Sequence, residues 1–187
     1  AGMSAAAAPP VVIVGAGLAA WTTARELRKL DAAVPIYIVT RDNGDFYAKP
    51  TLSNAFGQKR SPQQLVTTAA ATMAQNLGLT LRAHATVTSI DTAAHTLRLE
   101  QGGTSEVLAY GQLVLATGAN PIRIPMQGDA AHAVQSVNHL DDFRRLHAEL
   151  TALPPRTDGR AHTVLVIGGG LIGCEFANDL GRAGFKV

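Results

Sequence analysis

The sequence contains 187 residues, of which 47% are hydrophobic and 16% charged, and its formal net charge is +2 at pH 7. This length allows one complete domain and part of a second, and the weak charge, without basic clusters interleaved with aromatic residues, argues against a nucleic-acid partner. The single cysteine, Cys174, excludes an internal disulfide and fits a reducing compartment, so we expect a cytoplasmic protein. Because no apolar stretch is long enough to cross a bilayer, we expect no membrane partner.

The first predicted element is a buried strand over residues 11–15, which runs into the turn Gly15-Ala16-Gly17-Leu18-Ala19-Ala20 and then into a helix. This order of elements is typical of dinucleotide-binding proteins. Gly15 makes the tight turn, Gly17 lets a pyrophosphate approach the backbone, and Ala20 allows close packing of the helix on the strand. The helix N-terminus then binds the phosphates through its free amides and its dipole. The alternative is a tight turn without a ligand.

A second strand is predicted at Ile36–Val39 and ends at Thr40-Arg41-Asp42. In dinucleotide-binding proteins an acidic residue about twenty positions after the glycines binds the ribose hydroxyls. Here Thr40 or Arg41 occupies the expected position and the acid comes late, so either Thr40 contacts the ribose or Asp42 reaches back. A further alternative makes Arg41 the ligand of a 2′-phosphate, which would place NADP in the first site. Asp42-Asn43-Gly44 also has the composition of a simple turn.

The middle of the chain predicts a helix, a β-hairpin and another buried strand. The helix begins after Ser61, which caps it ahead of Pro62 and Gln64, and its apolar face extends to Leu77 before Gly78 ends it. The other predicted elements are strands at residues 79–82, 86–90, 96–99 and 106–109, a hairpin turn at Gly102-Gly103, a strand at 112–116, and a helix over 140–150 capped by Asn138. This succession predicts an α/β fold with a parallel sheet and a β-hairpin excursion.

The glycine pattern recurs as Gly168-Gly169-Gly170-Leu171-Ile172-Gly173, directly after a predicted strand at residues 164–167. Two such patterns in one chain predict two dinucleotides, and therefore redox chemistry between them. The six histidines are scattered, and none has metal-ligand spacing to a supporting cysteine or acid, so no metal site is predicted.

Three further stretches carry a resemblance to a known family. They are Phe46-Tyr47-Ala48-Lys49-Pro50-Thr51-Leu52-Ser53, Ala116-Thr117-Gly118, and Gly170-Leu171-Ile172-Gly173-Cys174-Glu175-Phe176-Ala177-Asn178-Asp179-Leu180. They resemble the FAD- and NAD(P)-dependent pyridine nucleotide reductases, and among these most of all the rubredoxin reductases, over nearly all of residues 10–187. The N-terminal residues themselves predict a disordered tail at 1–8. The resemblance implies a Rossmann-like FAD-binding domain at 9–122 and the start of a Rossmann-like NAD(P)H-binding domain at 123–187. It also implies a fragment of a protein about twice this length.

The resemblance further implies a role for each matching residue. The FAD pyrophosphate would be held by the turn residues Gly15, Ala16, Gly17, Leu18 and Ala19. Thr40 and Arg41 would contact the ribose, and the backbone of Val87, at the end of its strand, would bind the adenine. The same nucleotide would also be contacted by Ala116, Thr117 and Gly118. Thr40-Arg41 departs from the acid of the broader family, which leaves the ribose contact open. Lys49, with Pro50, would reach the flavin and stabilise negative charge on the reduced ring. The NADH pyrophosphate would be held by Gly168, Gly170, Leu171, Ile172 and Gly173, and Glu175 would lie between nicotinamide and flavin.

The activity implied by the resemblance is electron transfer from NADH, or alternatively NADPH, through FAD to rubredoxin or a ferredoxin-like carrier. One alternative is an NADH oxidase or disulfide reductase, which the absence of cysteine from residues 46–56 disfavours. The other is a non-catalytic nucleotide-binding module. The sequence makes no prediction of the oligomeric state.

Overall fold

The structure, a computed structural model, describes residues 8–187 and divides into two compact units. Unit 1 comprises the chain up to Phe46 and Thr67–Gly118, and unit 2 comprises Tyr47–Val66 and Ala119–Val187. The sequence predicts a single boundary after residue 122, whereas Tyr47–Val66 joins the later part of the chain because its apolar side chains share a core with side chains there. The predicted tail lies outside the described residues except for Ala8, which is exposed.

The strands and α-helices are numbered in chain order. They are β1 (Val11–Val14), α1 (Leu18–Leu30), β2 (Ile36–Val39), β3 (Phe46–Tyr47), β4 (Val66–Thr68), α2 (Ala70–Leu77), β5 (Thr80–Arg82), β6 (Ala85–Asp91), β7 (Thr96–Gln101), β8 (Thr104–Ala109), β9 (Gln112–Leu115), α3 (Leu140–Thr151) and α4 (Leu171–Arg182). Short 3₁₀-helices cover Lys49–Asn54, Pro62–Leu65 and Ala131–Ala133.

Unit 1 is built on a parallel sheet with the strand order β5-β2-β1-β9. Val12 and Ile13 of the inner strand β1 are fully buried, as its uninterrupted apolar sequence predicts for a strand covered on both faces. Helix α1 packs in one cluster with Ile13, through a buried stripe that includes Trp21. The indole Nε1 of Trp21 donates a hydrogen bond of 3.0 Å to the carbonyl of Gly44.

The predicted β-hairpin excursion is confirmed as the antiparallel sheet β6-β7-β8. The turn between β7 and β8 is Gly102-Gly103, whose φ angles of +58° and +82° glycine adopts without strain. Leu97 and Leu99 of β7 share a buried cluster with Val12. The hairpin therefore packs on the face of the parallel sheet that α1 leaves uncovered.

The helix predicted after Ser61 is wrong as a single element. Its start is confirmed, since the N–H of Ser61 donates to Oε1 of Gln64 at 2.8 Å, but the 3₁₀-helix Pro62–Leu65 gives way to β4 before α2 begins. The interruption falls on Val66-Thr67-Thr68, three β-branched residues that favour strands over helices. Gly78 ends α2 with a φ of +56°, as predicted.

Helix α3 begins with His139 as its N-cap, rather than the predicted Asn138. Oδ2 of Asp142 accepts hydrogen bonds from the backbone N–H groups of Asn138, at 3.0 Å, and His139, at 3.2 Å. Asp142 and His139 thus form a capping box, in which the Asp142 side chain accepts from the N-cap backbone and the His139 side chain accepts from the backbone of Asp142.

The strand predicted at residues 164–167, before the second glycine pattern, does not form in the described part of the chain. Thr163 makes an isolated parallel bridge with Lys186, and the N–H of Val164 donates to the Lys186 carbonyl at 2.8 Å. Leu165 is 82% exposed. A strand depends on hydrogen bonds to its neighbours, and within residues 8–187 no strand pairs with this segment.

Candidate nucleotide-binding sites

The first candidate site is the turn between β1 and α1 in unit 1. Gly15 has a φ of +114°, and a Cβ built on it would lie 2.2 Å from the carbonyl oxygen of Ala116, so only glycine fits. The N–H of Gly15 donates to the carbonyl of Val39 at 2.8 Å, which joins the turn to the end of β2. Gly17 is the N-cap of α1, and a Cβ there would meet nothing within 4 Å. This open helix N-terminus fits a pyrophosphate, because its free amides and dipole favour an anion.

The residues predicted to contact the rest of this nucleotide lie at the same edge of the sheet. Thr40 and Arg41 follow β2 and residues 116–118 follow β9, at the carboxyl ends of parallel strands, where nucleotides bind in such sheets. Thr40 is buried, and its Oγ1 donates to Oδ1 of Asp42 at 2.7 Å. The same oxygen accepts from the N–H of Gly44 at 2.9 Å, so Asp42 closes the predicted turn, while Arg41 is exposed.

The remaining predicted contacts in unit 1 lie on α1 and β6. Leu18 and Ala19 are exposed at the start of α1, directly after Ala16 and Gly17. Val87 is predicted to end its strand, and this is wrong, because β6 continues to Asp91. The pairing of β6 with β7 does shift register just after Val87, which places that residue beside an irregularity in the ladder. Its contact with adenine stays a prediction.

The second candidate site is the turn before α4 in unit 2. Gly168 has a φ of +118°, and Gly170 is the N-cap of α4. A Cβ on Gly170 would meet nothing within 4 Å, whereas one on Gly173 would lie 2.0 Å from the carbonyl oxygen of Gly168. The third glycine is therefore required where helix and turn touch, and the second leaves the helix N-terminus open. Leu171 and Ile172 are exposed in the first turn of α4.

Lys49 and Glu175, the residues predicted to serve the reaction, both belong to unit 2, and one 3₁₀-helix links them. Lys49 begins the 3₁₀-helix Lys49–Asn54, with Pro50 second, and its Nζ donates to Oδ1 of Asn138 at 3.1 Å. Ser53 lies near the other end, and its Oγ donates to Oε2 of Glu175 at 2.6 Å. Lys49 thus begins the same short element whose other end contacts Glu175.

Sequence reasoning assigned no site role to Ser53, Asn138 or Asp179. Asp179 is 4% exposed, and its two carboxylate oxygens accept the backbone N–H groups of Phe56, at 2.9 Å, and Gly57, at 2.8 Å. These bonds attach α4 to the segment that follows the 3₁₀-helix. The four-residue spacing of Glu175 and Asp179 places both on one face of α4, and this spacing is the signal that could have found the contact.

Three further observations concern the part of the chain that the structure describes. No helix there is long and apolar enough to span a membrane. No group of three or more metal-binding side chains gathers there. Cys174, the one cysteine of the sequence, is an exposed free thiol on α4.

Two glycine turns of this geometry, each leading into a helix, define a dinucleotide-binding α/β protein. The family model for pyridine nucleotide-disulphide oxidoreductases matches residues 9–187, and the chain belongs to this family.

Comparison with individual relatives shows which members of the family this chain is similar to. The rubredoxin-NAD(+) reductase of Acinetobacter baylyi is 40% identical and the nitric oxide reductase FlRd-NAD(+) reductase of Aliivibrio fischeri is 35% identical, in each case over 95% of this chain and 44% of the relative. The chain thus spans less than half the length of these curated relatives. The crystal structure of a covalent putidaredoxin reductase–putidaredoxin complex superposes with a TM-score of 0.78 at 28% identity, over 96% of this chain and 41% of that one. The predicted resemblance to rubredoxin reductases is confirmed.

Proposed function

We propose that this chain supplies the FAD-binding region and part of the NADH-binding region of a reductase that passes electrons from NADH through FAD to rubredoxin or a ferredoxin-like carrier. The observation that carries the proposal is the pair of glycine turns with φ of +114° and +118°, each with an open helix N-terminus. Two dinucleotides in one chain favour electron transfer between them. The names of the relatives, which include rubredoxin-NAD(+) reductase and a putidaredoxin reductase complex, support a small redox protein as acceptor.

FAD, when bound, would accept a hydride from NADH and release the electrons one at a time. The first turn and α1 would bind its pyrophosphate, and the Thr40–Asp42 pair offers a hydroxyl and a carboxylate to the ribose. Lys49, bonded to Asn138, would supply positive charge that stabilises negative charge on the reduced ring. Glu175 would guide the nicotinamide of an NADH held by the second turn. We also propose a cytoplasmic location, in keeping with the single thiol.

The test uses the complete reductase that carries this sequence. Its bound nucleotide is released and compared with FAD and NADP standards, and the protein is titrated with NADH, and in parallel with NADPH, under nitrogen. We expect FAD to be recovered, NADH to bleach the flavin absorbance, and oxidised rubredoxin to restore it.

Three outcomes would contradict parts of the proposal. Recovery of NADP alone would contradict the first-site assignment and support the alternative role of Arg41. A flavin that NADH does not bleach would contradict the proposed reductase function. Reoxidation by oxygen or a disulfide, but not by rubredoxin, would favour an oxidase or disulfide reductase.

A further inference from the structure

Ser53 is a buried hydroxyl that contacts the carboxylate of Glu175. It is 4% exposed, and its Oγ lies 2.6 Å from Oε2 of Glu175 and 3.1 Å from the carbonyl oxygen of Pro50. A hydroxyl has one proton to donate. The shorter contact, to a charged acceptor, is the stronger of the two, so the proton belongs to the bond with Glu175.

Glu175 itself is exposed on α4. An exposed glutamate samples several rotamers, and a bond from an immobile donor selects one of them. Ser53 is immobile because it is buried within the 3₁₀-helix Lys49–Asn54, and the chain just beyond that helix is attached to α4 by Asp179. The carboxylate of Glu175 is therefore held in a fixed position relative to the 3₁₀-helix that begins at Lys49.

We propose that Ser53 is a positioning residue for hydride transfer, acting through Glu175, whose carboxylate it holds in one orientation. This inference rests on the proposed NADH–FAD reductase function. Alignment of reacting groups accounts for a large share of such rate enhancements, so a carboxylate that loses its orientation slows the step without preventing nucleotide binding.

The test is a double-mutant cycle in the complete, FAD-loaded reductase, with flavin reduction by NADH followed by stopped-flow absorbance under nitrogen. The variants are Ser53→Ala, Glu175→Ala and the double variant. We expect Glu175→Ala to lower the limiting reduction rate about ten-fold or more and Ser53→Ala about three- to ten-fold, with the Kd for NADH changed less than about two-fold. We expect the double variant to reduce at the rate of Glu175→Ala alone, because Ser53 has no effect without its partner.

Two controls separate positioning from a general structural role. Ser53→Thr keeps the hydroxyl and should retain the parent rate. Thr51→Ala removes a hydroxyl of the same 3₁₀-helix that donates to the carbonyl of Ala48 at 2.6 Å, and it should leave the rate unchanged. If Ser53→Ala does not fold, Ser53→Cys, which has similar size and is a weak donor, takes its place with the same expectation.

The outcomes distinguish the inference from the function on which it rests. Multiplicative losses in the double variant, or a parent-like rate in Ser53→Ala, would overturn the role of Ser53 while the parent is still reduced by NADH. A parent whose flavin NADH does not reduce would overturn the proposed function, and the positioning role with it.

Discussion

The turn at Gly15 and the turn at Gly168 have almost the same backbone, with φ of +114° and +118°, and both lead into a helix through a glycine N-cap. Their surroundings differ. Gly15 is enclosed by the ends of β2 and β9, whereas a Cβ on Gly168 would meet nothing within 4 Å. Val12 and Ile13 before the first turn are fully buried in a sheet, while Leu165 before the second turn is exposed.

This difference shows that the backbone conformation of a turn depends on its own residues, whereas strand pairing and burial depend on the neighbouring elements. The glycine spacing produces the same turn in both places, because the allowed φ and ψ angles depend on the residue itself. Strand pairing and burial depend on which other elements are adjacent. In unit 1 the sheet encloses the turn, and in unit 2 the helix after the turn is instead attached to the segment around Phe56.

The largest effect is expected from Gly15→Ala. The new Cβ would meet a backbone carbonyl at 2.2 Å in a conformation that L-residues rarely adopt, so we expect a loss of about 4 kcal/mol or more in the free energy of unfolding. Gly168→Ala is the matched control. Backbone strain acts there without a steric clash, so we expect a loss of about 1–3 kcal/mol in the free energy of unfolding. Urea denaturation followed by circular dichroism measures both. Equal losses would show that the enclosing strands do not matter.

A smaller loss is expected from Asp179→Ala, which tests the attachment of α4. The substitution leaves the N–H groups of Phe56 and Gly57 without their carboxylate acceptor, so we expect about 2–4 kcal/mol of destabilisation. The neighbouring exposed Asn178→Ala should change stability by less than about 0.5 kcal/mol. A similar small value for Asp179→Ala would mean that α4 is held by its apolar contacts alone.

The smallest effect on folding is expected from Gly17→Val and Gly170→Val, which test the two turns as ligand sites. Both glycines have extended backbone and open space around the added side chain, so the melting temperature should stay near that of the parent. In the complete reductase, Gly17→Val should lose most of its FAD, because the side chain enters the space of the pyrophosphate. Gly170→Val should retain FAD and lose reduction by NADH. Full FAD content in Gly17→Val would contradict the first site.

Much of unit 1 could be predicted from the sequence because its signals are local. Short apolar runs, which are mostly β-branched in β1 and β2, predict β1, β2 and β9, and Gly102-Gly103 predicts the hairpin turn. The segment after Ser61 was predicted wrongly because two local signals conflict there. The apolar stripe after Ser61 suggested one helix, although local β propensity at residues 66–68 interrupts it.

Only part of the candidate site could be predicted from the sequence. Both glycine turns follow from spacing, since each glycine has a distinct steric role. The bond from Ser53 to Glu175 joins residues 122 positions apart, and no periodicity relates them. Such a pair exists only once α4 packs on the 3₁₀-helix, so its discovery needs the tertiary structure.

Trp21 is the only tryptophan of the sequence, and its buried indole is bonded to Gly44 within unit 1. Tryptophan fluorescence, excited selectively over that of the tyrosines, is therefore a reporter of unit 1 alone, whereas the far-ultraviolet circular dichroism signal comes from the helices of both units. Coincident transitions of the two signals would show that the units unfold as a single cooperative body, and separated transitions would assign a stability to each. The chain thus contains its own site-specific optical probe, without a label or a substitution.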